Sequence, residues 1–211
     1  MLQQLFSLPV YIKNINGYSY DRKKIIKDIE FNYSKDKNRN NWDTLKSDLH
    51  HGYGDFKNPN FKKINFNQLI PIYLRIFQEF FNSLPLKKEI KFKFDIVNYT
   101  CMTSNQFMQS HYHPETDFTA VHYIKFNKKI HKPTMFENSH FFSNYVKFLR
   151  PNLKNVLDIN NPINSWVSKE FWFNIEEEDI CITPGFCFHY VPMQPKTNES
   201  RITIVSNITF E

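Results

Sequence analysis

The hydrophobic period of this chain changes once, near residue 88, and that change restricts the folds open to it. Before that point apolar side chains recur at helical spacing. Ile25, Ile26 and Ile29 do so between Asp21 and Phe31, with Asp21 placed to cap. Leu69, Ile72, Tyr73, Ile76, Phe77, Phe80 and Phe81 make a longer stripe between Gln68 and Leu84, in which Pro71 fits only the first turn. After residue 88 the period is two: Ile90, Phe92, Phe94 and Ile96 alternate with Lys91, Lys93, Asp95 and Val97. Further strands are expected at 118–126, 133–136, 170–175, 179–183, 186–191 and 201–210, two of them divided by a Pro184-Gly185 turn. A helical portion followed by many short strands predicts an α+β chain: an antiparallel sandwich or barrel backed by N-terminal helices. Residues 137–168 interrupt the strands and read as an insertion with a short helix around Phe141–Leu149. The segment from Trp42 to Pro59, holding His50, His51, Gly52 and Gly54, reads as a surface connection, with a lid or substrate strap as the alternative.

Composition narrows the class. The 211 residues suit one domain, 1–211, and 41% hydrophobic with 17% aromatic content argues for a folded core. Apolar runs are short and broken by Lys, Asn or Asp, so no membrane span is expected, and Met1 to Tyr11 lacks the layout of a signal peptide. Cys101, Cys181 and Cys187 show no pairing pattern, which suits a reduced, cytoplasmic setting. A formal charge of +6 suits a solvated, Lys-rich surface. The basic stretches Lys87-Lys88 and Lys125 to Lys132 leave contact with nucleic acid or an acidic protein open, although Lys at strand edges more commonly discourages aggregation. With four glycines in all, a Gly-rich phosphate loop is excluded.

The chemistry centres on Gln106 to Phe126. His111 and His113 lie two apart, and in extended chain such residues share a face, so both imidazoles can reach one metal ion. Glu115 and Asp117 continue the spacing. His189, in the apolar Gly-Phe-Cys-Phe-His-Tyr-Val-Pro stretch, is a core histidine if taken alone; across a small barrel it can meet the His111/His113 pair as a third ligand. His50, His51, His131 and His140 show no such spacing, and His122 points away from the face of Tyr123. Arg201 opens an apolar strand on the same face as Thr203. A buried guanidinium requires a partner, either a carboxylate ligand held at two points or a protein Asp or Glu.

In order and spacing, Phe107-Met-Gln-Ser-His-Tyr-His, Val121-His-Tyr-Ile, Glu178-Asp-Ile-Cys-Ile-Thr-Pro-Gly-Phe-Cys-Phe-His-Tyr-Val-Pro and Arg201-Ile-Thr-Ile-Val-Ser-Asn resemble the motif series of Fe(II)/2-oxoglutarate-dependent oxygenases. The nearest likeness is to the prolyl-hydroxylase-like oxygenases of phages and marine bacteria, and Leu5-Phe-Ser-Leu-Pro-Val-Tyr resembles their opening. The motifs cover residues 95–211. The resemblance implies a double-stranded β-helix (jelly-roll, cupin-like) core and a cofactor set of Fe(II), 2-oxoglutarate and O2, with ascorbate supportive. It implies His111 and His189 as iron ligands, Arg201 on the far carboxylate of 2-oxoglutarate, and Tyr123, Thr203 and Tyr99 as further co-substrate contacts. The wider superfamily has a carboxylate as its second ligand. Here either His113 takes that place, as the subgroup's own H-x-H-P favours, or the pair is His113 and Glu115 with His111 behind it; loss of iron and catalysis is a third outcome. The implied reaction is hydroxylation, by default of a peptide side chain, with nucleotides and small molecules open. Competing readings are a non-catalytic jelly-roll structural or interaction protein and a three-histidine cupin-type dioxygenase that needs no 2-oxoglutarate. A viral origin would place the protein in the host cytoplasm.

Overall fold

In the computed structural model, the described residues are 8–39, 47–87, 90–138, 156–158, 161, 163–164 and 168–211. The element order is β1 (Tyr11–Asn14), α1 (Arg22–Lys35), β2 (His50–His51), α2 (Ile70–Ser83), β3 (Phe92–Met102), β4 (Met108–His111), β5 (Phe118–Lys125), β6 (Met135–Glu137), β7 (Glu170–Phe171), β8 (Asp179–Pro184), β9 (His189–Val191) and β10 (Arg201–Phe210). His140, the Phe141–Leu149 helix and most of the 137–168 insertion fall outside the described residues.

The strands form two antiparallel sheets, one ordered β1-β8-β5-β10-β3-β2 and the other β4-β9-β6-β7. Both expected helices form. Asp21 caps α1, accepting from the backbone N–H of Lys24 at 3.1 Å, and Pro71 sits in the first turn of α2, where its missing N–H costs no helical bond. The apolar stripe of α2, with Ile25 and Ile29 of α1, packs on one face of the larger sheet against Cys101, Phe118, Ala120, Ile124, Ile180, Ile182, Ile202, Ile204 and Ile208. Opposite that face Val121, Tyr123 and Cys181 pack with Phe136 of the smaller sheet. The layers are therefore helices, large sheet, small sheet, and the candidate site lies between the sheets. No helix among the described residues is long and apolar enough to cross a membrane.

Two features of the large sheet decide what faces the site. Along β3, Ser206 of β10 pairs with Ile96 and Val205 pairs with Asn98, so Val97 is an extra residue. Such a bulge shifts the alternation by one. Phe92, Phe94 and Ile96 face the helices, but so do Tyr99 and Cys101, while Asn98 and Thr100 turn inward. Second, residues 47–59, the described part of the Trp42–Pro59 segment, are more than a surface connection: His50 and His51 form β2, paired with Cys101 and Thr100, and are 0% and 1% exposed. Gly52 permits that approach, since a Cβ there would lie 2.3 Å from the Tyr99 ring.

Candidate metal centre

His111 ends β4, His113 follows two residues later, and His189 opens β9, paired directly with His111. A register shift in β4 between Met108 and His111 lets both of those side chains face inward. The backbone N–H of His113 donates to the carbonyl of Gly185 at 2.9 Å, tying the histidine loop to the turn before β9. Gly185 is required there, because a Cβ would meet the Thr116 carbonyl at 2.4 Å. The three rings converge: their candidate ligand atoms all lie within 4.8 Å of one another.

The second nitrogen of each ring is already committed. Nδ1 of His111 donates to the Gln109 carbonyl at 2.9 Å, Nδ1 of His189 to the Cys187 carbonyl at 2.9 Å, and Nδ1 of His113 to the Asn207 side-chain oxygen at 3.0 Å. A carbonyl oxygen can only accept, so each ring holds its proton on Nδ1 and keeps the Nε2 lone pair for a metal. Burial lowers the proton affinity of all three. It takes His113 down to about 4, with His111 adding to the effect, and His189 well below the ordinary value, with His111 and His113 adding. Neutral, oriented imidazoles are the ligand form that iron and its neighbours in the first transition row accept. Glu115 is not brought to this cluster; it is exposed, at φ 62° in the turn after His113.

Arg201 is fully buried. Its Nε donates to the Lys132 carbonyl and its Nη2 to Thr134 Oγ1, both at 3.2 Å, and Nη1 has no hydrogen-bond partner among the described residues. Neither acceptor is charged. The guanidinium lies 5.3 Å from the centre of the Tyr123 ring, and the Tyr123 hydroxyl accepts from the Thr134 N–H at 3.4 Å. Burial raises the Tyr123 phenol despite the nearby Arg201 charge, so it stays protonated. Thr203 lines the cleft and shares a hydrogen bond of 2.7 Å with Thr100.

Tyr99 is placed elsewhere. It faces the helices, accepts from Asn32 at 2.8 Å and donates to Asp55. His122 likewise points toward the helices, its Nδ1 2.8 Å from the Tyr73 hydroxyl. Two cleft residues escaped sequence reasoning. Asn98 lines the cleft with the three histidines, and His51 lies behind it with Nε2 2.6 Å from Asn98 Nδ2. Burial, with His111 adding, lowers His51 to about 4. A bulge hid the first of these residues and a short, Gly-dependent strand hid the second; neither leaves a periodic signal.

No family model matches the chain, and no curated protein matches it in sequence. Its shape does match known structures. A prolyl-4-hydroxylase from Pseudomonas putida aligns over 97% of this chain and 94% of its own, with a TM-score of 0.54 and 7% identity. A prolyl hydroxylase from Trichoplax adhaerens, solved in complex with a hypoxia inducible factor oxygen degradation domain peptide fragment, aligns over 95% of this chain and 83% of its own, with a TM-score of 0.53 and 8% identity. A 2OG-Fe(II) oxygenase family protein from Burkholderia pseudomallei matches more loosely, at a TM-score of 0.44 and 12% identity over 71% of this chain, which spans 60% of that protein's length. The chain thus has the fold of the prolyl hydroxylases, and at these identities the likeness speaks to fold alone.

Proposed function

We propose that the protein is an Fe(II)- and 2-oxoglutarate-dependent dioxygenase on a double-stranded β-helix core. The iron ligands in this reading are His111, His113 and His189. Arg201 binds the far carboxylate of 2-oxoglutarate, with Tyr123 and Thr203 beside it.

The observation that carries the reading is Arg201. A guanidinium at 0% exposure, with Nη1 unsatisfied and only uncharged acceptors on its other nitrogens, is costly unless an anion arrives. A carboxylate entering the cleft supplies that anion and forms a charge-assisted bond. The three Nε2 lone pairs supply the other half of a chelating site. Bound iron with 2-oxoglutarate and O2 supplies the oxidising power for hydroxylation, 2-oxoglutarate leaving as succinate and CO2. The chain's own residues orient and shield. The Nδ1 bonds lock the rings, the Tyr123 phenol stays neutral beside the Arg201 charge, and the two sheets keep bulk water from the reacting atoms. A peptide side chain is the substrate class we favour, in line with the peptide held by the Trichoplax protein.

A triad with no carboxylate also suits a three-histidine dioxygenase that needs no 2-oxoglutarate. One titration separates the two. Calorimetry of the Fe(II)-loaded protein, anaerobic and with ascorbate, should give stoichiometric 2-oxoglutarate binding that Arg201→Met weakens at least about tenfold. Unmeasurable binding to the metal-loaded wild type would remove the 2-oxoglutarate assignment and favour the three-histidine class.

A further inference from the structure

The lysines of this chain are not used alike. Lys125 and Lys128, in a basic stretch that stands out in the sequence, are neutralised by Glu30 and Glu176. Along α1 the opposite holds. Lys23, Lys27, Phe31 and Lys35 follow one another four residues apart and all are exposed, a run of roughly 18 Å at about 1.5 Å per residue. Lys23, Lys27 and Lys35 form no ion pair among the described residues, and neither do Lys57 and Lys63. The exposed carboxylates Asp21 and Asp36 lie at the two caps of the helix, and Asp28 between them is buried, shared by Lys24 at 3.1 Å and Lys62 at 2.6 Å.

A second basic segment is fastened beside this run. The buried Asn32 grips Lys62 at two points: its Nδ2 donates to the Lys62 carbonyl at 2.9 Å, and its Oδ1 accepts from the Lys62 N–H at 2.7 Å. That holds Lys62 and Lys63 next to α1, and the Lys62 and Lys35 ammonium groups lie 4.7 and 5.1 Å from the centre of the exposed Phe31 ring. The preceding turn is anchored by the buried Asp55, which accepts from Arg39 at 2.6 Å and from Asn32 at 3.5 Å. It carries Tyr53 and Phe56, 56% and 64% exposed, with the Lys57 ammonium 5.6 Å from the centre of the Phe56 ring. Aromatic rings left in water beside ammonium groups that lack carboxylates suit a partner with flat faces and a regular negative charge.

We propose that this face binds single-stranded nucleic acid, with phosphates on the lysines of α1 and of residues 57–63 and bases stacked on Phe56 and Tyr53. A duplex keeps its base faces stacked on one another, so exposed rings favour the single strand. A bilayer would need a continuous apolar face, which the lysines on either side of Phe31 deny it. The helices cover the side of the large sheet turned away from the histidine cluster, so the surface is separate from the metal cleft and the inference does not rest on the dioxygenase reading.

The test is fluorescence anisotropy of the intact protein with labelled oligo-dT and oligo-U, each of about twenty nucleotides, over a salt series. The wild type should bind, with log affinity falling linearly in log salt. A variant combining Lys23→Gln, Lys27→Gln, Lys35→Gln and Lys63→Gln should lose at least about tenfold in affinity and about 3 from that slope, at roughly 0.7 per phosphate contact on a single strand. Phe56→Ala should weaken binding about tenfold with the slope unchanged. A control combining Lys128→Gln, Lys129→Gln and Lys132→Gln should stay within about twofold of the wild type. No binding by the wild type at low salt, equal losses in the two lysine variants, or a Phe56→Ala affinity equal to the wild type's overturns the proposal. Equally tight binding of a duplex of the same length, or displacement by polyglutamate at equal charge concentration, overturns it as well. The salt, duplex and polyglutamate arms use the wild type alone, so a variant that does not fold cannot shelter the proposal.

Discussion

Two pairs of histidines in this chain differ by one residue of spacing, and their fates differ completely. His111 and His113 are two apart and share a face, so both rings join His189 in one cluster. His50 and His51 are adjacent on β2, so they point to opposite sides of the sheet. His50 stacks on Tyr99 and its Nε2 lies 2.9 Å from Asp55 Oδ2, a carboxylate that also takes bonds from Tyr99 and from Arg39 at 2.6 Å. His51 turns the other way, to Asn98 and the cleft. One strand of two residues thus serves both the helix-side packing and the site. The lesson is that parity along a strand, more than the residue type, assigns a histidine its task.

The comparison breaks most sharply at the triad. His189→Ala and His113→Ala should each remove metal binding, lowering affinity by about a hundredfold or more, as read by metal content after dialysis. Full occupancy in His113→Ala would leave the second ligand to be found elsewhere. Next in size is the helix-side pair. His50→Ala strips a partner from the buried Asp55 carboxylate and should cost about 2–4 kcal/mol in urea unfolding while leaving metal stoichiometry intact. Loss of the metal without loss of stability would show that the two histidine pairs had been assigned to the wrong tasks.

A smaller effect concerns acid. Burial pushes the Asp55 carboxyl up, but hydrogen bonds from His50 and Tyr99, the His50 interaction and Arg39 outweigh it, and the net value lies below the ordinary 3.8. A carboxylate held lower in the folded state stabilises it fully above the unfolded value and loses that contribution as pH falls through the folded one. Urea midpoints should therefore fall for the wild type below about pH 4. Asp55→Asn should start lower at neutral pH and lose less over that acid range. Parallel curves for the two proteins would show that Asp55 plays no part in the acid transition. The smallest change should come from Glu115→Ala, exposed and outside the cluster, with metal content unaltered and stability within about 0.5 kcal/mol. Loss of metal in that variant would restore the His113/Glu115 pairing.

Local pattern alone made the two helices, the strands from β3 onward apart from the short β4, and the facing of His111, His113, Arg201 and Thr203 legible, because a period of 3.6 or 2 is written in neighbouring residues; the short β1, β2 and β4 were not among the expected strands. It also carried the idea that His189 meets the pair, although only the antiparallel pairing of β4 with β9 sets the rings side by side. What the tertiary structure decided are the points where alternation breaks. Tyr99 is an expected co-substrate contact that faces the helices, and Asn98 faces the cleft in its place, because Val97 is extra against β10. A bulge is a mismatch between two strands that lie over 100 residues apart in sequence, so no reading of one strand contains it. The same holds for β2: a pair of histidines in a polar, Gly-bearing stretch becomes buried only because Tyr99 and Gly52 let that stretch lie against β3.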